Sequence, residues 1–164
     1  AGAEIILETA KLLKNEKSIK FMIVGEGNPK MLNELSKCDN VILTGRVPKE
    51  SIPKYLAAAD CVLVPFPDNV ASHGISPLKL FEALAMEKPV VASAISGIKE
   101  VANQDLSVAL VSNDPKRWAS ALKNLIENSE KSIQQRQNSR KAVLQKYDFN
   151  HLAALFDKVI EGGF

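Results

Sequence analysis

An α/β fold built on a parallel sheet is predicted by two observations in this chain of 164 residues: short apolar, β-branched runs recur along it, and amphipathic helical patterns alternate with them. The runs at 21–25, 41–45, 61–65, 89–93 and 108–111 read as five buried strands. Helical patterns cover 4–13, about 30–36, 51–59, 77–86 and 98–102, then 115–128, 130–146 and 150–161 after the last strand. Alternation of this length implies parallel strands joined by right-handed crossovers, with ligands gathering at the carboxyl ends of the strands. The expected architecture is a Rossmann-like, doubly wound parallel sheet with helices on both faces.

Composition bounds the function. With 46% hydrophobic residues the chain can bury one sizeable core, so 1–164 reads as a single domain. A formal net charge of +2, 24% charged residues and 5% aromatics provide neither a basic stripe nor stacking rings, which disfavours nucleic acid as a partner. The apolar runs are far shorter than a membrane span, and Glu4, Glu8 and Lys11 interrupt the N-terminal pattern, so neither signal peptide nor anchor is expected. Cys38 and Cys61 stand apart with no Cys-x-x-Cys grouping, and with His73 and His151 they make no zinc set. A reducing, cytoplasmic setting is expected, and no metal.

The most informative stretch runs from Ser76 to Ser93. Ser76 can cap a helix through its hydroxyl, and Pro77 suits the first helical position, where its missing N–H is not needed. The free amides of Leu78 and Lys79, the positive end of the helix dipole and the Lys79 ammonium can then hold an anion such as a pyrophosphate. Glu82 lies one turn on, near the Lys79 side. On spacing alone, a surface ion pair between Lys79 and Glu82 is the better reading.

Three other segments stand at ends of strands. Val24-Gly25-Glu26-Gly27-Asn28-Pro29 is a turn from strand to helix whose glycines let backbone approach a ligand, without the third glycine of a dinucleotide fingerprint. Leu43-Thr44-Gly45-Arg46-Val47-Pro48 closes the next strand, and Tyr55-Leu56-Ala57-Ala58-Ala59-Asp60 is a small-residue helix suited to packing on a sheet. The loop from Pro67 to Ile75 leads into the Ser76 helix, and His73 within it stays open between an exposed loop histidine, the commoner case, and a catalytic or ligand-binding group.

Together these segments resemble the family 4 (group 1) glycosyltransferases, retaining enzymes with the two-lobed GT-B fold. The resemblance covers essentially the whole chain and is strongest over 20–93, where Ser-Pro-Leu-Lys-Leu-Phe-Glu is followed by Lys-Pro-Val-Val-Ala-Ser. It implies the C-terminal, donor-binding lobe of an enzyme that takes a nucleotide-diphosphate sugar as donor without a metal or other cofactor. Glu82 then accepts hydrogen bonds from the two ribose hydroxyls, an ionised acceptor matched to adjacent donors. Gly25 lines the donor cleft, and Arg46 and Val47 lie at the base edge. Gly74, Ile75, Ser76, Pro77, Leu78 and Lys79 face the diphosphate and sugar, with Lys79 stabilising the departing diphosphate.

The chain departs from the family pattern in three places. Many relatives carry a first glutamate eight positions before the one matching Glu82, and here that place holds Gly74. Glu87 precedes Lys88-Pro89 where a small residue or glycine is usual, so a left-handed conformation there carries strain. Ala1-Gly2 stands where a Lys-Gly pair follows the family's first strand. The resemblance therefore implies a part of a longer protein, and a gap in the usual strand order unless something else fills it. The acceptor-binding lobe is the implied partner, with peripheral membrane contact open for the full-length enzyme. A nucleotide-sugar 2-epimerase lobe and a non-catalytic nucleotide-sugar or protein-binding module are the rival readings.

Overall fold

The computed structural model describes residues 2–75, 77–102, 106–128 and 133–160. Its elements in order are α1 (Ala3–Leu12), β1 (Phe21–Val24), α2 (Pro29–Ser36), β2 (Val41–Gly45), a 3-10 turn (Lys49–Ser51) running into α3 (Ile52–Ala58), β3 (Val62–Val64), α4 (Val70–His73), α5 (Leu78–Ala85), β4 (Val90–Ser93), α6 (Ser96–Val101), β5 (Val108–Val111), α7 (Pro115–Glu127), α8 (Ile133–Lys146) and α9 (Phe149–Ile160). The helix expected from 130 and the one expected to reach 161 extend, at 130–132 and 161, outside the described residues. The single turn α4 was not expected, because four residues are too few to show a period. Its cap is local: the Asn69 carboxamide oxygen accepts from the backbone N–H and the hydroxyl of Ser72, both at 3.0 Å.

Every strand pairing is parallel, as the alternation predicts. Phe21 lies beside Val41, Val62 beside Val90, and Val90 beside Val108. The sheet is nevertheless split, with β1–β2 forming one part and β3–β4–β5 the other. That is the gap the expected strand order implies, and in that order it falls between β1 and β3. At the start of α1, Gly2 lies against Pro65 just past β3, so close that a Cβ would stand 2.3 Å from the Pro65 carbonyl oxygen. Only glycine fits there, since its φ of 72° is also left-handed. The open edges leave a trace in burial: Met22, Ile23 and Val24 of β1 and Val62 and Leu63 of β3 are half-buried, whereas β4, paired on both sides, is buried throughout.

Successive residues of β4 point to opposite faces, and the two faces seed two cores. Val91 joins Ile6, Ala10, Leu13, Phe21, Trp118 and Leu122 beneath α1 and α7. The Trp118 ring is wholly buried and its indole N–H donates to the Ser112 carbonyl at 3.1 Å. Val90 and Ala92 join Leu80, Leu84, Ile98 and Val143 beneath α5, α6 and α8. Helices therefore cover both faces, and the first core bridges the two parts of the sheet. Cys61 packs beside that core, where burial pushes its thiol up to about 12 and leaves it neutral. No helix among the described residues is long and apolar enough to cross a membrane.

At the end of α5 the strain expected at Glu87 is present, with φ at 56°. The Glu87 and Lys88 N–H groups donate back to the Leu84 and Ala83 carbonyls at 3.0 and 2.9 Å, a Schellman ending whose left-handed position normally belongs to glycine. Arg140 of α8 supports this corner, lying 3.8 Å from the Glu87 carboxylate and donating to the Ala85 carbonyl. Glu87→Gly is expected to stabilise the fold by about 1 kcal/mol, the relief of the left-handed penalty exceeding the loss of an exposed ion pair. Thermal unfolding then shifts up by about 2–4 °C; a lower midpoint would show that the ion pair dominates.

Candidate nucleotide and diphosphate site

The site residues expected from sequence come from two neighbourhoods, both at carboxyl ends of parallel strands. The first is the end of β1 and β2. There the Gly25 N–H donates to the Gly45 carbonyl at 2.9 Å, and both glycines have positive φ, 112° and 67°. A Cβ on either would meet nothing within 4 Å, so the conformation alone calls for glycine. Asn28 then caps α2, accepting from the Lys30 and Met31 amides at 3.0 and 3.3 Å. Arg46 is exposed with no ionic partner among the described residues, and Val47 beside it is half-buried.

The second neighbourhood is organised by one hydroxyl. Ser93, at the end of β4 and only 1% exposed, accepts from the Phe66 N–H at 2.9 Å. Its own proton faces the Phe66 carbonyl at 2.9 Å and the Asn113 carboxamide oxygen at 3.0 Å. The Asn113 amide group donates to the same carbonyl at 2.9 Å. The ends of β3, β4 and β5 are thereby tied together where the loop toward α5 departs.

That loop ends at Pro77, which is buried and occupies the N-cap of α5 with extended ψ of 112°. This corrects the expectation that Pro77 is the first helical residue: its backbone has not yet turned into the helix, so Leu78 takes that position. Ser76, the expected side-chain cap, lies outside the described residues. The Leu78 and Lys79 amides have no acceptor among the described residues, which leaves two donors open at the helix start. Leu78 is 73% exposed, and Lys79 and Glu82 are exposed as well. The ion pair that spacing alone favoured does not form, since neither Lys79 nor Glu82 has an ionic partner among the described residues.

Gly74 has φ −89°, within reach of any residue, and open space around its Cα. Its glycine is therefore imposed neither by conformation nor by packing. His73 is held on both ring nitrogens, by Ser96 at 2.8 Å and Asp68 at 2.7 Å. The sequence leaves His73 open between an exposed histidine and a functional one, and no sequence signal could have found a partner 23 positions away. Among the described residues no group of His, Cys, Asp and Glu is placed to hold a metal ion.

Parallel strands with a glycine turn and an open helix start at their carboxyl ends place these residues where ligands gather in α/β domains of this type. The chain belongs to the glycosyl transferases of group 1, whose family model matches residues 1–128. It is 30% identical over 136 residues to a D-inositol 3-phosphate glycosyltransferase of Xylanimonas cellulosilytica, covering 76% of this chain and 31% of that protein. It is 31% identical over 115 residues to the amylovoran biosynthesis glycosyltransferase AmsK of Erwinia amylovora, covering 65% and 28%. The chain thus spans about a third of the length of these relatives. Among solved structures, Anabaena HepE in complex with UDP and glucose superposes with a TM-score of 0.79 at 17% identity, over 94% of this chain and 44% of HepE. The C-terminal domain of the group 1 protein LpcC from Francisella tularensis superposes at 0.72 and 23% identity, over 90% and 80%. The fold is that of a GT-B C-terminal lobe.

Because Ser93 satisfies both backbone groups of Phe66 in a buried setting, Ser93→Ala is expected to cost about 1–3 kcal/mol, beyond the worth of a single exposed hydrogen bond. Chemical denaturation checks this; a change under about 0.5 kcal/mol would mean that Asn113 alone holds the strand ends.

Proposed function

We infer that this chain is the donor-binding lobe of a retaining, metal-independent glycosyltransferase, which transfers a sugar from a nucleotide-diphosphate sugar to a polysaccharide or glycolipid type of acceptor. The observation that carries the reading is the start of α5, where two amides without acceptors and Lys79 and Glu82 without ionic partners, among the described residues, follow one another over 78–82. Glu82 takes the ribose hydroxyls, and Leu78, Lys79 and the 74–77 backbone take the diphosphate. Lys79 and the helix start neutralise the charge that builds on the departing diphosphate, the part a metal plays elsewhere. Gly25 lines the cleft and Arg46–Val47 the base. Support comes from HepE, crystallised with UDP and with UDP-glucose, and for the acceptor class from the amylovoran role of AmsK.

A second lobe completes the enzyme. The share of relatives covered supports this, as does α9, whose Phe149, Leu152, Leu155, Phe156 and Ile160 are 45–84% exposed. An apolar helix face of this extent is stabilised by covering it. Acceptor binding lies in that lobe, so the present chain by itself is a nucleotide binder without turnover.

Titration of this chain with UDP is expected to show weak binding that Glu82→Ala reduces about ten- to a hundredfold, the worth of charged hydrogen bonds to two hydroxyls. Unchanged affinity would remove Glu82 from the site, and sugar transfer by this chain alone would overturn the division of labour. For the full-length protein, product analysis with a nucleotide sugar separates transfer from 2-epimerisation, whose acid and base residues this chain does not supply.

A further inference from the structure

The backbone at Gly74 and Ile75 can serve a diphosphate only if it is held in place, and its own sequence supplies little to hold it: Gly74 is unconstrained, and among the described residues this pair is bonded locally by the Ile75 N–H to the Ser72 carbonyl at 3.2 Å. The structure supplies the rest from α6. The His73 ring stands between the loop and the start of that helix, with Nδ1 facing both the Ser96 hydroxyl at 2.8 Å and the Ser96 backbone N–H at 3.3 Å. A backbone N–H can only donate, so Nδ1 presents its lone pair. The ring proton is then on Nε2, which donates to Asp68 at 2.7 Å. Two residues further on, the Ile75 carbonyl lies against Gly97, where a Cβ would stand 2.2 Å from the carbonyl oxygen and 3.4 Å from that of His73. Glycine at 97 thus admits the loop to a closeness no other residue allows. These are two independent contacts, one polar and one steric, between the same loop and the same helix turn.

We propose that His73 is a positioning residue for the donor diphosphate: as a neutral, Nδ1-accepting strut anchored on Asp68, it fastens the 73–75 backbone to Ser96 and Gly97 and so presets the approach to α5. This rests on the reading of Glu82 and the 74–79 segment as nucleotide and diphosphate contacts. Preorganisation of this kind lowers the ordering cost of binding without touching the ligand. Its effect is therefore confined to the part of the ligand the loop faces. Loss of the strut weakens ligands that carry the diphosphate and spares those that end at the first phosphate.

The experiment is calorimetric titration of this chain and its variants with UDP and with UMP, with thermal unfolding as the check on folding. His73→Ala is expected to weaken UDP about tenfold, the worth of one lost ordering contact, while changing UMP less than twofold. His73→Asn places an oxygen where Nδ1 stands and is expected to restore UDP binding, whereas His73→Gln, which reaches the Nε2 position instead, is not. Ser96→Pro removes both partners of Nδ1, the hydroxyl and the N–H, while leaving His73 in place: Ser96 is the first residue of α6, and Ile95 before it is extended at φ −88° and ψ 158°, so proline fits. It is expected to reproduce the selective loss of UDP binding, and this arm decides if His73→Ala does not fold. Equal weakening of UDP and UMP by Ser96→Pro or His73→Ala, or no weakening, overturns the strut while leaving the nucleotide reading intact, provided Glu82→Ala still weakens both ligands. If Glu82→Ala changes neither ligand, or the parent chain binds no UDP, the nucleotide reading fails and the strut with it.

Discussion

The hydroxyl of Ser93 is the interaction on which the candidate site depends. Parallel strands end freely unless something beyond the ladder ties them, and here one buried serine and the Asn113 carboxamide converge on both backbone groups of Phe66. Phe66 is where β3 gives way to the loop toward α5, so its position sets the loop's origin. Past that point the chain is fastened again, by the Asn69 cap of α4 and by the contacts of His73 and Ile75 with α6. The open amides of α5 are thus delivered by a path pinned at several places, although the path has no extended secondary structure of its own.

The split sheet is the counterpart of this order. β3, β4 and β5 are well tied, but β1 and β2 join them through the core beneath α1 and α7 and through the approach of Gly2 to Pro65, without strand hydrogen bonds. Unpaired parallel edges with half-buried valine and leucine are costly in water, and apolar packing around Trp118 offsets that cost. The turn at Gly25 and Gly45 and the helix that starts at Leu78, the two halves of the candidate site, belong to different parts of this sheet. Their relative placement is therefore carried by helix packing, which makes the first core a determinant of site geometry as well as of stability.

Much of the fold is legible in the sequence, because element type follows from periodicity and most ends follow from local chemistry. Asn28-Pro29 and Asp114-Pro115 mark the starts of α2 and α7, where both caps accept from backbone amides. The parallel strands follow from the alternation of elements along the chain, and the gap beside β1 and the left-handed Glu87 from the resemblance to the family. Legibility fails where a signal is short or shared. α4 is one turn long, and Ser-Pro permits Pro77 either as the cap or as the first helical residue; its ψ decides for the cap.

What the sequence by itself determined is the class of the domain and its family, since each rests on periodicity or on a contiguous motif, and it named candidate site residues through the family resemblance. Tertiary structure alone decided which of these residues are free. Lys79 and Glu82 are spaced for an ion pair that does not form, and His73 looks solitary yet bridges Asp68 and Ser96. The physical reason is common to all three: spacing shows only which neighbours on one helix or strand are within reach, and whether such a pair closes, or a partner arrives from another segment as Ser96 does for His73, depends on placement in three dimensions.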